Sequence, residues 1–316
     1  MLIRAVFTPL SPFRFFPESF TLFGAICWGI RVLYGESELE QMLSEFTKNP
    51  SFIISSPLPI SKGGILFPKP ILKGGWKDVA SMEEYKERKN AKKLNYVDEK
   101  TLRKVLEGEI RTEKSLWDHV KDEHLNQLQI MGVAQPHASI NRITWTTEGG
   151  QLYNEESTYI GVKFAVLIKF FDENYEEKVK ASLSFTQIGG NKSTGMGNCR
   201  VEFEKYNGWI DEYINEQRGN FITLSPTLYD SSFLLEKSYY EVYPFVSPVD
   251  NYYGVISPAI WKRKTLFISK GSLITTESSK PFFGGIKKAL FNRETNKAIY
   301  HYGYAFPLFT RWSYEN

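Results

Sequence analysis

Cysteine is nearly missing from this chain. Its 316 residues include two, Cys27 and Cys199, too few for a disulfide framework or a four-thiolate zinc site, and the expectation is a reducing compartment. Long apolar runs are missing as well. The uncharged stretch Phe20 to Ile30 is too short to cross a bilayer. Arg4 and Arg14 interrupt the extreme N-terminus, and no signal-peptide core with a cleavage site follows. A cytoplasmic protein with no membrane partner is expected. Net charge is small too: 39 Lys and Arg stand against 36 Asp and Glu, for +3. What the chain has in quantity is aromatic residues, 23 Phe, 18 Tyr and 7 Trp, suited to stacking or broad contact surfaces. With 42% hydrophobic and 24% charged residues, wholesale disorder is excluded. At this length two domains are the natural expectation.

The small total hides segregation. Residues 1–76 carry +2, residues 77–123 balance, residues 124–260 carry −6 and residues 261–316 carry +7. A basic C-terminal segment behind an acidic middle suits a protein that touches a polyanion on one face and something else on another. The acidic runs Asp172 to Glu177 and Asp211 to Glu216 are therefore expected to face protein or solvent.

Along the chain, Leu2 to Phe7 reads as a buried strand. Leu22, Phe23, Ile26, Ile30 and Leu33 recur at helical spacing, capped by Ser19 or Thr21 and stopped by Gly35. A second helix fits Glu36 to Phe46 and a strand fits Ser51 to Ser55. A Gly/Pro loop spans 61–75, and residues 76–124 read as a charged helical insertion. A β-hairpin over about 139–160 is expected to turn at Glu148-Gly149-Gly150, with a β run from Tyr159 to Phe170 and a helix over Asn174 to Gln187. After a glycine-rich segment, a strand fits Arg200 to Tyr206. Beyond residue 220, strands fit Phe221–Leu224, Tyr239–Val246, Thr265–Ile268 and Ala298–Phe306, with a helix near Ser231–Lys237. The order strand–helix–strand–strand–helix–strand, twice over, predicts an α+β protein of two ferredoxin-like (RRM-like) modules, residues 1–219 and 220–316.

Gly189-Gly190-Asn191-Lys192-Ser193-Thr194-Gly195-Met196-Gly197 carries the most chemistry. Four glycines with Asn, Ser and Thr permit positive φ and outward-turned amides, an anion-binding concavity. It is not a Walker A loop, because Met196 and Gly197 stand where Lys and Ser/Thr are required. It is not a dinucleotide fingerprint, because Arg200 occupies the third glycine's place. Its place between a helix and a strand reverses the order of both motifs. A plain turn is the bland reading; contact with a nucleic-acid backbone is the sharper one.

This segment, followed by a strand, resembles the glycine-rich loop of the RAMP superfamily of CRISPR-associated proteins. Other segments resemble one branch of it, the type III-A (Csm-type) effector-complex subunit that binds the 5′ tag of the crRNA. Ser19-Phe-Thr-Leu-Phe-Gly-Ala25 resembles the first-helix signature, and Leu66-Phe-Pro-Lys69-Pro-Ile-Leu72 the Pro-Lys-Pro loop. Asn141-Arg142-Ile-Thr144 followed by Glu148-Gly-Gly-Gln-Leu-Tyr153 resembles the Arg-containing hairpin, and Gly303-Tyr-Ala-Phe-Pro307 the closing strand. The matches run from one end of the chain to the other in family order. Where members often carry His-Ser-Asp, this chain has Glu18-Ser19-Phe20.

The resemblance implies a non-catalytic subunit that caps the crRNA 5′ tag and bridges the large polymerase-like subunit to the backbone RAMP subunit of a type III-A interference complex in antiviral defence. The implied RNA-binding residues are Gly189 to Gly197, Asn141, Arg142 and Thr144. Lys69 joins them as one of Lys62, Lys69, Lys73 and Lys77, which are spaced along a loop without an intervening acid. No catalytic residue, metal or cofactor is expected. The alternative is a metal-independent RAMP-family crRNA-processing endoribonuclease, which would need a general base such as His near the first helix; His119, His124, His137 and His301 all lie elsewhere in the sequence. His119 and His124 are five apart, about 140° around a helix, unlike the i, i+4 pair of zincins. They read as surface residues, as do the basic run Tyr85–Lys93 and the C-terminal Trp261–Lys264 and Lys287–Lys288. Cys27 reads as a core residue of the first helix.

Overall fold

A computed structural model describes residues 1–76, 81–121, 128, 130–216, 219–249, 261–277, 279–292 and 297–314. Strand β1 (Leu2–Pro9) turns Ile3, Ala5 and Phe7 inward by its two-residue period. Helix α1 (Ser19–Tyr34) buries Leu22, Phe23, Ile26 and Ile30 along one stripe. Its N-cap is Glu18, whose amide donates to the Thr21 hydroxyl at 3.4 Å, so neither Ser19 nor Thr21 is the cap. Gly35, at φ 95°, ends it in a conformation that only glycine adopts without strain. Helix α2 (Glu36–Phe46) drives Met42 and Phe46 into the core.

β2 (Phe52–Ile54), β3 (Leu58–Ser61) and β4 (Gly64–Pro68) follow. The stretch expected as a Gly/Pro loop thus contains a hairpin, with Ile60 opposite Ile65. The insertion holds α3 (Met82–Ala91), β5 (Tyr96–Asp98), α4 (Glu99–Glu107) and α5 (Glu113–Val120). It is not wholly helical: β5 pairs with β4 and buries Val97, extending the sheet. β6 (Ile130–Ile140) and β7 (Thr147–Ile160) make a long two-stranded ribbon. Its turn is Asn141–Thr146, and Glu148, Gly149 and Gly150 lie within β7. The Asn141 side chain accepts from the amides of Ile143, at 2.8 Å, and Thr144, at 3.3 Å, and this Asx-type closure decides the turn over the neighbouring glycines.

β8 (Phe164–Phe170), α6 (Glu176–Phe185), β9 (Cys199–Lys205) and α7 (Ile210–Asn215) complete the first part. The main sheet runs β5-β4-β3-β8-β1-β9, with β2 also on β8, and every pairing is antiparallel. The succession β1–α1–β2 then β8–α6–β9 is a split β-α-β-β-α-β unit, with the ribbon and the insertion spliced between its second and third strands. α1 and α6 pack closely: a Cβ on Gly29 would lie 2.4 Å from the Ser182 Cβ, so the contact requires glycine.

The second part contains β10 (Asn220–Thr223), β11 (Val242–Phe245), β12 (Thr265–Ile268), β13 (Leu273–Thr275), β14 (Gly284–Asn292), β15 (Lys297–Tyr304) and β16 (Pro307–Phe309). They form a β13-β10-β16 sheet and two hairpins, β11–β12 and β14–β15. Among the described residues no α-helix follows α7, so the second ferredoxin-like module expected from the sequence is not seen. The helix expected near Ser231–Lys237 is a single 3-10 turn at Leu235–Lys237. Phe233 bridges to Thr276, and the Leu234 amide donates to the Thr275 carbonyl, holding this backbone extended.

The main core crosses both parts. Phe23 stacks on Tyr302 at 4.7 Å, the Ile54 amide donates to the Tyr302 hydroxyl at 2.9 Å, and the Tyr304 hydroxyl donates to the Phe46 carbonyl at 2.6 Å. A polar tie adds to them. Glu18 accepts from the Lys270 ammonium at 2.7 Å and from the Ser56 hydroxyl at 2.5 Å. Burial presses Lys270 toward the neutral form, but Glu18 outweighs it and the ammonium is held above its ordinary range.

Candidate nucleic-acid interface

The glycine-rich segment joins α6 to β9 and divides into an anchored and an outward half. The Gly197 amide donates to the Pro12 carbonyl, and the Ile188 amide to the Gly197 carbonyl, both at 2.9 Å. Gly197 has φ 76°, and a Cβ there would lie 2.0 Å from the Ile188 oxygen; no other residue fits. Met196 is buried as the plug of this half. Lys192–Thr194 form one 3-10 turn, flanked by Asn191 and Gly195, both left-handed. The amides of Thr194, Gly195 and Met196 close on carbonyls of Asn191 and Lys192, so those amides are engaged inside the loop. Gly190, Ser193, Thr194 and Gly195 are exposed.

Two elements converge on the outward half. Arg14, just beyond β1, donates to the Asn191 carboxamide oxygen at 3.3 Å and lies over the exposed Phe15 ring at 5.6 Å. The β6–β7 ribbon is pinned to the same segment, because Phe13 and Thr158 exchange backbone hydrogen bonds of 2.9 and 2.6 Å. Asn191 in turn donates its amide to Glu155 of β7. Residues Gln135, His137, Tyr153 and Glu155 share one ribbon face by period two and register. His137 stacks on Tyr153, centroids 5.5 Å apart and planes 17° apart, and its Nε2 lies 3.7 Å from Glu155. Donors (Arg14 and the loop) and a flat ring pair thus lie side by side, a geometry for phosphates and bases respectively.

The remaining expected residues are scattered. Arg142 sits in the turn, not on a strand, and is exposed. At about 3.3 Å per strand residue it lies on the order of 20 Å from the Glu155 level of the ribbon, too far to share a phosphate with the loop. Asn141 holds the turn, and the Thr144 hydroxyl lies 3.0 Å from that of Thr146. Beside them Ile143 and Trp145 are 90% and 82% exposed. Lys69 is a correction: its ammonium is engaged by Glu113 at 2.9 Å and the Ala91 carbonyl at 3.1 Å, so it braces the insertion instead of presenting a free cation. Lys77, His124 and Asp122 lie outside the described residues.

The acidic runs are partly neutralised within the chain. Glu176 and Glu177 pair with Lys180, and Glu212 and Glu216 with Arg311. Burial pushes the thiols of Cys27 and Cys199 up to about 12, which makes both poor nucleophiles near neutrality. Among the described residues no three His, Cys, Asp or Glu side chains come together to hold a metal ion. No helix among them is long and apolar enough to cross a membrane.

Sequence distance misled in one respect. A histidine does come near the first helix, one ring removed: Phe20 of α1 packs on Phe245 at 4.3 Å, and Phe245 on His301 at 5.6 Å. His301 is 2% exposed, and burial, reinforced by Lys262 and Lys287, lowers its pKa from 6.5 to about 4. It is a buried neutral ring, out of reach of a surface substrate. Because the unfolded chain binds this proton more tightly, stability is expected to fall as pH drops from about 6.5 toward 4, by at most about 3 kcal/mol. Denaturant titrations at pH 7 and pH 5 check this: His301→Leu should shrink the difference between the two pH values, and an unchanged difference would refute the assignment.

Arg14, His137, Tyr153 and Glu155 escaped the sequence reading of the site. Alternation along β7 would have put Tyr153 and Glu155 on one face had the turn been placed at Asn141. Nothing in the sequence linked Arg14 to a loop 177 residues away.

The RAMP superfamily profile matches residues 19–200. The chain is 25% identical over 315 residues to the CRISPR system Cms protein Csm4 of Thermococcus onnurineus (strain NA1), covering 95% of this chain and 93% of that protein. A chain in a crystal structure of a Csm1-Csm4 cassette in complex with cA4 superposes with a TM-score of 0.60 at 19% identity, over 100% of both chains. One from a Csm3-Csm4 subcomplex of the type III-A CRISPR-Cas interference complex gives 0.58 at 20%, over 97% of this chain and 98% of that one. The two superpositions bear on the fold.

Proposed function

Because this chain belongs to the RAMP superfamily, we propose that it serves as a Csm4-like, non-catalytic subunit of a type III-A CRISPR interference complex, holding the 5′ tag of the crRNA. The observation that carries this reading is the meeting of the glycine loop, Arg14 and the His137–Tyr153 face on Asn191 and Glu155. Exposed loop residues and Arg14 take the phosphates; the ring pair stacks a base; Ile143 and Trp145 at the ribbon tip wedge between bases farther along. Such a groove needs local donors, not a basic chain, which fits a net charge of +3. The relative's name and the two subcomplex structures support the partners: the large polymerase-like subunit on one side and the backbone RAMP subunit on the other.

The test is affinity purification of the tagged chain from its own cells. A discrete small RNA with a constant 5′ end should come with it, together with several unlike proteins; a chain that returns alone or with heterogeneous RNA would refute the reading. His137 beside Glu155 is the one acid–base pair near the loop among the described residues, and its 3.7 Å separation falls short of a hydrogen bond. Labelled repeat RNA is expected to stay intact with the purified chain, with or without divalent metal. Specific cutting abolished by His137→Ala would establish the nuclease instead.

A further inference from the structure

A carboxylate in a groove for phosphates is a liability unless something uses it. Glu155 stands on the ribbon face that carries the ring pair, two residues along β7 from Tyr153. Its side chain is 17% exposed, and beside RNA phosphates its charge repels them and loses water. Glu156, the next residue, alternates to the other face of the ribbon. The loop by itself does not require an acid here. Asn191 donates to one carboxylate oxygen, Oε1, and a neutral carboxamide oxygen would accept that bond as well. The second oxygen, Oε2, lies toward the ring pair, 3.7 Å from the His137 Nε2, which is beyond hydrogen-bond distance.

The ring pair and this oxygen together bear on a base. Tyr153 is 53% exposed, so the pair is open to stacking. Two residues along a strand span about 7 Å, which brings the edge of a base stacked there up to Glu155. A carboxylate only accepts hydrogen bonds, and Oε1 keeps a second lone pair after its bond to Asn191. The four bases answer an acceptor pair differently. Guanine presents two adjacent donors, N1–H and the N2 amine. Adenine and cytosine each present one amine beside a ring nitrogen that accepts. Uracil presents one N–H between two carbonyl oxygens. Only guanine meets both carboxylate oxygens without setting an acceptor against a negative charge.

We propose that Glu155 is a specificity-determining residue that selects guanine for the nucleotide stacked on His137–Tyr153. This rests on the tag-holding reading of the same groove and adds which base the groove takes there. The test measures anisotropy of the full chain with fluorescein-labelled uridine 15-mers, one all uridine and the others with a central guanosine, adenosine or cytidine. The guanosine probe should bind roughly tenfold tighter than the all-uridine one, with the other two between them. Glu155→Gln keeps an acceptor for Asn191 but offers a base one donor and one acceptor, a pattern that every base can match. It should melt like the parent and bind all the probes within about twofold of one another. A parent that binds every probe without preference overturns the proposal and leaves the tag-holding reading standing; a parent that binds none of them overturns both. A guanosine preference that survives in Glu155→Gln also overturns it. So does a guanosine probe that falls to the all-uridine affinity when that one nucleotide is 2′-deoxy, which would make Glu155 a reader of the sugar.

Discussion

In a reconstituted complex, Arg14→Glu/Lys192→Glu is expected to lose most of its guide RNA while melting like the parent. Both residues lie at Asn191 on the outward half of the loop, Arg14 bonded to its side chain and Lys192 next to it in sequence. Each reversal replaces attraction for a phosphate with repulsion, and the alanine forms should each flatten the salt dependence by about one phosphate's worth if the ion pairs are direct. Glycine substitutions sort the mechanism. A Cβ on Gly190 would meet only the Arg14 Cδ within 4 Å, at 3.5 Å, so Gly190→Val should fold normally and exclude RNA by bulk. Gly195 has open space around it but φ 87°, so Gly195→Val adds strain of about 1–2 kcal/mol. Gly197→Ala must displace the Ile188 carbonyl and should damage the fold itself. Changing the spacer should alter none of these effects, because base pairing reads the spacer. RNA occupancy over a salt series, with a melting curve for each variant, decides it. Stable Arg14 and Gly190 variants with full occupancy would reduce this loop to a structural turn.

Breaking the Glu18–Lys270 tie is expected to cost well more than breaking an exposed ion pair. Each side chain is about one-fifth exposed, and each stands in the other's absence as a poorly solvated charge. Removing one partner of a fully buried pair costs about 3–5 kcal/mol; at this partial exposure water screens some of that, leaving about 2–3 kcal/mol. Glu18 also caps α1 and accepts from Ser56, so Glu18→Leu should cost more than Lys270→Met. The double variant should recover part of the loss, because it leaves neither charge unpaired. Chemical denaturation of the four proteins closes the cycle. Strictly additive losses would show that the two groups do not act as a pair.

The apolar periodicity of residues 1–46 and 164–205 was enough to place β1, α1, α2, β8, α6 and β9, because each buries one face and its period is local. The glycine pattern marked the loop for the same reason: positive φ at Gly189, Gly195 and Gly197 is a demand that neighbouring residues declare. What failed locally was decided at a distance. The ribbon turn moved to Asn141 because a side-chain closure outweighed two glycines. Phe233 and Leu234 stayed extended, and the helix shrank to one 3-10 turn at Leu235–Lys237, because β13 and the residue after it supplied pairing partners from far along the chain. Lys69, one of a row of unopposed lysines in sequence, met Glu113 in space. The interface itself belongs to tertiary structure. Its residues come from 14, 137–155 and 189–197, and it is the Phe13–Thr158 pairing, the Gly197–Pro12 hydrogen bond and the contacts of Asn191 that bring those three segments to one edge. A sequence specifies which residues can bind a phosphate or stack on a base; which of them converge is set by long-range pairing, whose energy no local pattern records.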